Sequence, residues 1–122
     1  MNHIEELTTR IPSLTGVTED IEKAVEAICQ MHRNGGKLLL CGNGGSAADC
    51  EHISGELLKS FLLERPPVGQ VPGLLQQGVA AIPLPSLSAS LTAYANDVEP
   101  SLMFAQLTYA LGRQGEDRKS VV

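Results

Sequence analysis

Apolar residues recur along the chain with two spacings, which predict helices separated by short buried strands. Residues 3–10 have Ile4 and Leu7 on one side of a short predicted helix. A longer helix is predicted between Thr18, a typical N-cap residue, and Gly35, a typical stop. Its apolar residues recur at the three- and four-residue intervals of one helix face: Ile21, Ala24, Val25, Ile28 and Cys29.

The segment KLLLC at residues 37–41 is a continuous apolar run, which is typical of a strand buried in a parallel sheet. A glycine-rich segment at residues 42–45, called the glycine turn below, follows this strand. A second helix is predicted from Ser46 to Leu63. Five residues form its apolar side: Ala47, Cys50, Ile53, Leu57 and Phe61.

Residues 65–78 are rich in proline and glycine and predict a surface loop, with one helical turn at Leu74–Gln77. VAAIPLP at residues 79–85 predicts a second strand, in which Pro83 limits the far end. The segment SLSASLTAYAND then predicts a short helix that ends in a polar corner.

A last helix is predicted from Pro100 to Leu111, because proline suits the first turn of a helix and Gly112 suits its end. The residues after it form a polar tail, in which Val121 and Val122 predict the start of a further strand.

The order helix, strand, helix, strand, helix predicts an α/β fold with parallel strands and right-handed crossovers. Parallel sheets are normally covered on both faces, and two strands make a very small one. Two alternatives therefore stay open. Either a third strand lies elsewhere, or partner chains cover the exposed faces.

Composition narrows the class of protein. The chain has 122 residues with 43% hydrophobic content, which is enough for one small core. A net charge of -5 gives no basic surface for nucleic acid, so we expect no nucleic acid partner. We expect no membrane span and no signal peptide, and hence a cytoplasmic protein. Cys29, Cys41 and Cys50 have no metal-binding spacing, and we interpret them as small apolar residues.

The glycine turn joins a strand to a helix N-terminus, where free N–H groups and the helix dipole favour an anion. We expect the amides of Gly44 and Gly45 and the side chains of Asn43 and Ser46, the predicted N-cap, to bind substrate there. No lysine follows the glycines, so a nucleoside triphosphate site is disfavoured. The alternative is that the glycines only make a tight turn.

GNGGSA also matches the dinucleotide fingerprint G-x-G-x-x-G/A. The second predicted strand, however, ends without the acidic residue that would hold a ribose. We therefore predict no nucleotide cofactor, and a sugar phosphate site remains.

His52 and Glu56 lie four residues apart, so they share one face of the predicted helix. An imidazole and a carboxylate in this arrangement can bind one divalent metal ion, or act as acid and base on one substrate. The third alternative is a surface pair of little consequence.

CGNGGSAADCEHISGEL, residues 41–57, resembles the start of the sugar isomerase (SIS) fold in its phosphoheptose isomerase branch. The helix ending in Gly-Gly-Lys before it and SLTAYANDVEPSLMFAQLTYALGRQGE after it resemble the family as well. The resemblance implies a partial SIS-type doubly wound parallel sheet with flanking helices, within a single domain over 1–122. Its parts are the N-terminal helices at about 3–34, a strand-loop-helix core at 37–63, the loop at 65–78, a strand and helices at 79–112, and the tail at 113–122.

The family interconverts sedoheptulose 7-phosphate and a heptose 7-phosphate, an aldose–ketose exchange. By resemblance, Asn43 and Ser46 contact the sugar, Glu56 is the catalytic base, and His52 and Glu56 are zinc ligands. The resemblance also places Asp97 in the same pocket; the alternative for Asp97 is a helix cap before Pro100. Family members form homo-oligomers with the active site between subunits, so a phosphorylated sugar and further copies of the chain are the expected partners.

The family continues into an S-x-S-G-x-S loop that holds the phosphate and a later helix that supplies a Gln and a His. Neither occurs in these 122 residues, so we expect an N-terminal part of the domain or a truncated natural product, and the resemblance does not imply activity for this short chain alone. The alternative function is a non-catalytic SIS module that binds a phosphosugar or a protein partner such as the bacterial replication initiator.

Overall fold

The computed structural model describes residues 2–70 and 72–113, and the chain divides after Gly35 into two compact units. The first unit contains two helices with a 3₁₀ turn between them: α1 (His3–Arg10), Pro12–Val17 and α2 (Thr18–Arg33). Among the described residues, the second unit contains two strands, three helices and two 3₁₀ turns: β1 (Leu38–Leu40), α3 (Gly45–Leu58), β2 (Ala81–Pro83), Leu84–Ser86, α4 (Ser88–Asp97), Pro100–Leu102 and α5 (Met103–Leu111).

The predicted tail beyond Arg113, with its strand start at Val121 and Val122, lies outside the described residues. The single domain over 1–122 stays a prediction. None of the helices in the described ranges is long and apolar enough to cross a membrane.

β1 and β2 pair in parallel, as the order of elements predicts for an α/β fold. Leu38 lies opposite Ala81 and Leu40 opposite Pro83. Proline has no N–H for further pairing, and the chain turns into a 3₁₀ turn directly after Pro83. The second strand is therefore shorter than the predicted range 79–85.

The core of the second unit lies between the two strands and the helices that follow each of them in the sequence, α3 and α4. Its buried residues are Leu40, Cys50, Ser54, Ala81, Leu84 and Leu91. Ser54 is polar and only 2% exposed, and its hydroxyl donates a hydrogen bond of 2.9 Å to the Ala81 carbonyl. Since a buried polar group needs a partner, this bond fixes α3 to β2.

The start of α2 differs from the prediction. Thr18 is not the N-cap but the first helical residue, and its hydroxyl donates back to the Thr15 carbonyl at 2.9 Å. The reason is that the preceding 3₁₀ turn leads directly into the helix, so Thr18 already has helical backbone angles of -54° and -44°.

The end of α3 also differs from the prediction. The helix ends at Leu58 rather than Leu63, and Lys59 is extended. The N–H of Val79 donates to the Leu57 carbonyl at 2.8 Å, so backbone from the following loop replaces a further helical turn. Phe61, predicted on the apolar side of the helix, lies beyond the helix and is 69% exposed.

Two smaller predictions need correction. The helical turn expected at Leu74–Gln77 is absent, and a tight turn lies earlier, where the N–H of Leu75 donates to the Pro72 carbonyl at 3.0 Å. Pro100 begins a 3₁₀ turn rather than the last α-helix, which starts at Met103. Gly112 caps that helix, as predicted.

Gly78 lies against the end of α3, and this contact predicts a stability effect. A Cβ at residue 78 would lie 2.7 Å from the Leu58 carbonyl oxygen, so Gly78→Ala must displace backbone. We expect it to lower the free energy of unfolding by about 1–3 kcal/mol in urea denaturation.

Gly73→Ala is the matched control, because a Cβ at residue 73 meets no atom within 4 Å. It should leave the unfolding free energy unchanged or raise it by up to about 1 kcal/mol. Equal effects of the two substitutions would show that the close approach of Gly78 to α3 does not matter.

Candidate functional site

The glycine turn connects β1 to α3 through a backbone conformation that only glycine adopts readily. Gly44 has φ 55° and ψ -123°. The helix begins at Gly45, so the prediction that Ser46 is the N-cap was wrong; Ser46 makes no capping hydrogen bond. Its amide and that of Ala47 donate to the carbonyls of Asn43 and Gly44, each at 3.1 Å.

Two amides of the glycine turn remain for a ligand. Within the described chain, no hydrogen bond is formed by the N–H groups of Gly44 and Gly45. Asn43 and Ser46 beside them have exposed side chains. Because unpaired amides at a helix start favour an anion, the turn retains the capacity that the sequence predicts.

His52 and Glu56 lie side by side on α3, one helical turn apart. His52 Nε2 is 3.5 Å from Glu56 Oε1, and the His52 side chain is 77% exposed while that of Glu56 is 28% exposed. Lys59 Nζ lies 3.9 Å from the same oxygen. The other oxygen, Oε2, is buried without a hydrogen-bond partner. The carboxylate therefore has one oxygen near two basic groups and one oxygen with unused acceptor capacity.

A cavity of about 570 Å³ adjoins this pair, within the size range of small-molecule sites. Of the predicted site residues, it brings together Ser46, His52 and Glu56. The complete lining is Leu40, Cys41, Ser46, Asp49, Cys50, His52, Ile53, Glu56, Leu57 and Phe61.

Other predicted site residues lie elsewhere. Asn43 and Gly44 line a second cavity of about 290 Å³, against Thr92 of α4 and Phe104 of α5. Gly45 lines neither of these two cavities.

Asp97 is the last residue of α4, and it also lines neither of these two cavities. Its Oδ1 accepts a hydrogen bond of 2.8 Å from Asn96 Nδ2. The alternative, that Asp97 caps the turn at Pro100, is wrong. Glu99 is the cap, because its carboxylate accepts a hydrogen bond from the Ser101 amide at 3.0 Å. This backbone hydrogen bond and one from the Ser101 hydroxyl lower the pKa of Glu99. A substrate contact by Asp97 stays a prediction.

The donor atoms of His52 and Glu56 suit zinc, which binds imidazole nitrogen and carboxylate oxygen. The unpartnered Glu56 Oε2 is a further acceptor at this place. Within residues 2–70 and 72–113, however, no group of three or more His, Cys, Asp or Glu side chains is placed to share a metal ion. The pair thus fits part of a zinc site, since catalytic zinc is held by three protein ligands.

Sequence reasoning did not single out Asp49 as a site residue, although it lines the larger cavity. The signal was present, because Asp49 lies three residues after Ser46 and seven before Glu56, on the same helix face. Cys41 and Cys50 also line the cavity and are free thiols, where the sequence predicted only small apolar residues.

Comparison with known proteins identifies the family. The SIS domain profile matches residues 2–102. The chain belongs to the SIS domain family. Phosphoheptose isomerases of Shewanella denitrificans and Shewanella frigidimarina are each 38% identical to it over 112 residues, which is 92% of this chain. Those residues are 52% and 51% of the two relatives, so the chain spans about half their length.

Solved structures agree with this assignment. A phosphoheptose isomerase from Neisseria gonorrhoeae is 32% identical with a TM-score of 0.61, over 91% of this chain and 48% of that one. A phosphoheptose isomerase from Francisella tularensis is 30% identical with a TM-score of 0.62, over 93% and 58%. The predicted SIS-type α/β fold is thereby confirmed.

Gly44 and Gly45 offer a test of the glycine turn. No atom lies within 4 Å of a Cβ at either residue, and only Gly44 has positive φ. Gly44→Ala should cost about 1–3 kcal/mol of unfolding free energy through backbone strain, and it should weaken any binding of inorganic phosphate at the turn. Gly45→Ala should instead be neutral or stabilise by about 0.5–1 kcal/mol. Urea denaturation and calorimetric titration measure both; similar losses from the two variants would contradict the role of Gly44.

We predict that the thiol of Cys50 reacts slowly with alkylating reagents. Its side chain is 6% exposed, and burial, followed by the charges of Cys41 and Asp49, raises the pKa of Cys50. A raised pKa leaves less thiolate at a given pH, and thiolate is the form that reacts. We expect iodoacetamide at neutral pH to alkylate Cys50 more slowly than Cys29 and Cys41, as followed by mass spectrometry. Faster labelling of Cys50 would contradict its burial.

Proposed function

We propose that this chain forms part of an aldose–ketose isomerase of phosphoheptose isomerase type, which interconverts sedoheptulose 7-phosphate and a heptose 7-phosphate. The observation that carries the proposal is the Glu56 carboxylate beside a cavity of ligand size, with one oxygen near His52 and the other without a partner. The similarity to phosphoheptose isomerases supports the choice of reaction and substrate.

The reaction requires a base that moves a proton between adjacent carbon atoms. Glu56 takes the proton from the hydroxyl-bearing carbon beside the carbonyl group. The electrons of that C–H bond form a C=C bond, and the C=O electrons move onto the carbonyl oxygen, which gives an enediolate. The proton of the neighbouring hydroxyl passes to this oxygen, and the protonated carboxyl of Glu56 returns its proton to the former carbonyl carbon. Its unpartnered oxygen, Oε2, suits this transfer because it can accept a proton.

Four further predicted residues bind and orient the sugar. Ser46 lines the same cavity as Glu56, which supports its predicted contact with a sugar hydroxyl. The amides of Gly44 and Gly45 and the side chain of Asn43 offer donors to an anionic or hydroxyl group at the start of α3.

A zinc ion would be held by His52 and Glu56 together with ligands from outside the described residues. When bound, zinc supplies a positive charge that polarises the carbonyl oxygen of a sugar.

We also propose that the protein acts as a homo-oligomer. The three residues beyond the end of α3, Phe61, Leu62 and Leu63, are 69%, 78% and 79% exposed. Consecutive exposed apolar side chains of this kind are typical of interaction surfaces. Light scattering tests this proposal, and a clean monomer would contradict it.

The cytoplasmic location and a replication initiator as partner stay predictions.

A second candidate is a phosphosugar-binding module without catalysis. The placement of the candidate metal ligands favours it. Within the described residues, no third side chain is placed to share a metal ion with His52 and Glu56.

Glu56→Gln tests the catalytic proposal, because the amide keeps the size of the side chain and cannot act as a base. We expect turnover of sedoheptulose 7-phosphate to fall by about 10²–10⁴-fold while binding of the sugar phosphate is retained. Turnover is followed by chromatography of the products, and binding by calorimetric titration.

Glu51→Gln is the matched control, since Glu51 lies on the same helix and outside the larger cavity. Its exposed carboxylate accepts a hydrogen bond from the Ser86 hydroxyl at 2.8 Å. The side-chain oxygen of glutamine can accept the same hydrogen bond. Binding without turnover in the wild-type chain would favour the binding module. Neither binding nor turnover would reject both candidates for this chain.

A further inference from the structure

Arg65 binds the carboxyl end of the helix that carries Glu56. Its Nη2 donates to the carbonyls of Glu56 at 3.2 Å and Leu57 at 2.8 Å, and also to the carbonyl of Lys59. The last carbonyls of a helix have no partner within the helix, and a positive charge there is favourable. One of the three carbonyls belongs to Glu56 itself.

The loop that contains Arg65 is fastened to the same place by its backbone. The N–H of Gln77 donates to the Arg65 carbonyl at 2.9 Å, and that of Val79 to the Leu57 carbonyl at 2.8 Å. The side-chain oxygen of Gln76 accepts from the Ser60 amide at 2.7 Å. We call Arg65, Gln76, Gln77 and Val79 the α3 clasp. The sequence predicted a surface loop at 65–78 with one helical turn at Leu74–Gln77 and a strand at 79–85, but it did not predict these contacts with α3.

The Glu56 carboxylate has few polar contacts of its own to fix it. Its Oε1 lies 3.5 Å from His52 Nε2 and 3.9 Å from Lys59 Nζ, and its buried Oε2 has no hydrogen-bond partner. With few polar partners, the carboxylate depends on the backbone at Glu56 for its position. That backbone belongs to the last turn of α3, which Arg65 holds.

We propose that Arg65 is a positioning residue for Glu56, which holds the last turn of α3 so that the carboxylate stays beside His52. The inference rests on the proposed function, in which Glu56 is the base. Arg65 acts through the main chain and does not touch the substrate. A displacement of about 1 Å at a reacting group can reduce a rate by about a hundredfold, so the clasp matters for catalysis as well as for folding.

Arg65→Met removes the charge and the donors while keeping an unbranched side chain, and Arg65→Lys keeps the charge. We expect kcat for sedoheptulose 7-phosphate to fall about tenfold to a hundredfold in Arg65→Met, with KM changed less than twofold. Arg65→Lys should recover most of the loss. The control is Arg33→Met, since Arg33 pairs with exposed Glu26 at 3.0 Å and, among the described residues, with no other carboxylate; it should change neither constant.

Two further measurements do not depend on turnover. Amide hydrogen exchange by NMR should be faster at Lys59 and Val79 in Arg65→Met, because their bonds belong to the last turn of α3 and to the clasp. The nuclear Overhauser effect between the His52 ring and the Glu56 side chain should weaken in that variant. It should persist in Arg65→Lys and Arg33→Met. If Arg65→Met does not fold, Arg65→Gln takes its place, since it also loses the charge.

The outcomes separate this inference from the proposed function. A wild-type chain without turnover counts against the proposed function, and the two NMR measurements then decide the role of Arg65. An unchanged Overhauser effect in Arg65→Met overturns the inference, as does faster exchange with kcat unaltered. A loss of kcat that Arg65→Lys does not restore also contradicts it.

Discussion

The parallel pairing of β1 with β2 is the constraint on which the second unit depends. Parallel strands cannot be joined by a hairpin, so the chain between Leu40 and Ala81 must cross over. α3 is the helix of that crossover, and the buried hydroxyl of Ser54 bonds it to the Ala81 carbonyl. The positions of His52 and Glu56 follow from the pairing, because both lie on the helix that the pairing requires.

The two ends of α3 are fixed by different physical means. At its start, Gly44 adopts a conformation open to glycine, which directs the chain from the strand into the helix. At its end, the guanidinium of Arg65 and the amide of Val79 bond carbonyls that would otherwise lack partners. A helix held at both ends is a rigid support for Glu56, which lies three residues before Lys59, where the chain becomes extended.

Five of the residues predicted for the site line two different cavities, while Gly45 and Asp97 line neither of them. Ser46, His52 and Glu56 line the larger cavity, while Asn43 and Gly44 line the smaller one. The chemistry proposed for Glu56 needs only the first group to meet the reacting carbon atoms. A complete zinc site needs at least one more ligand than His52 and Glu56 provide.

Local sequence determined the existence of the elements and the face that His52 and Glu56 share, because helical periodicity and glycine turns act over a few residues. The same local patterns predicted the parallel strands, and they also predict anion binding at the turn, which stays a prediction. The end of α3 at Leu58 and the contacts of Arg65 with that end were decided only by tertiary structure. Each depends on hydrogen bonds between groups outside the local pattern, such as Arg65 with Glu56 and Val79 with Leu57, and periodicity contains no information about such partners.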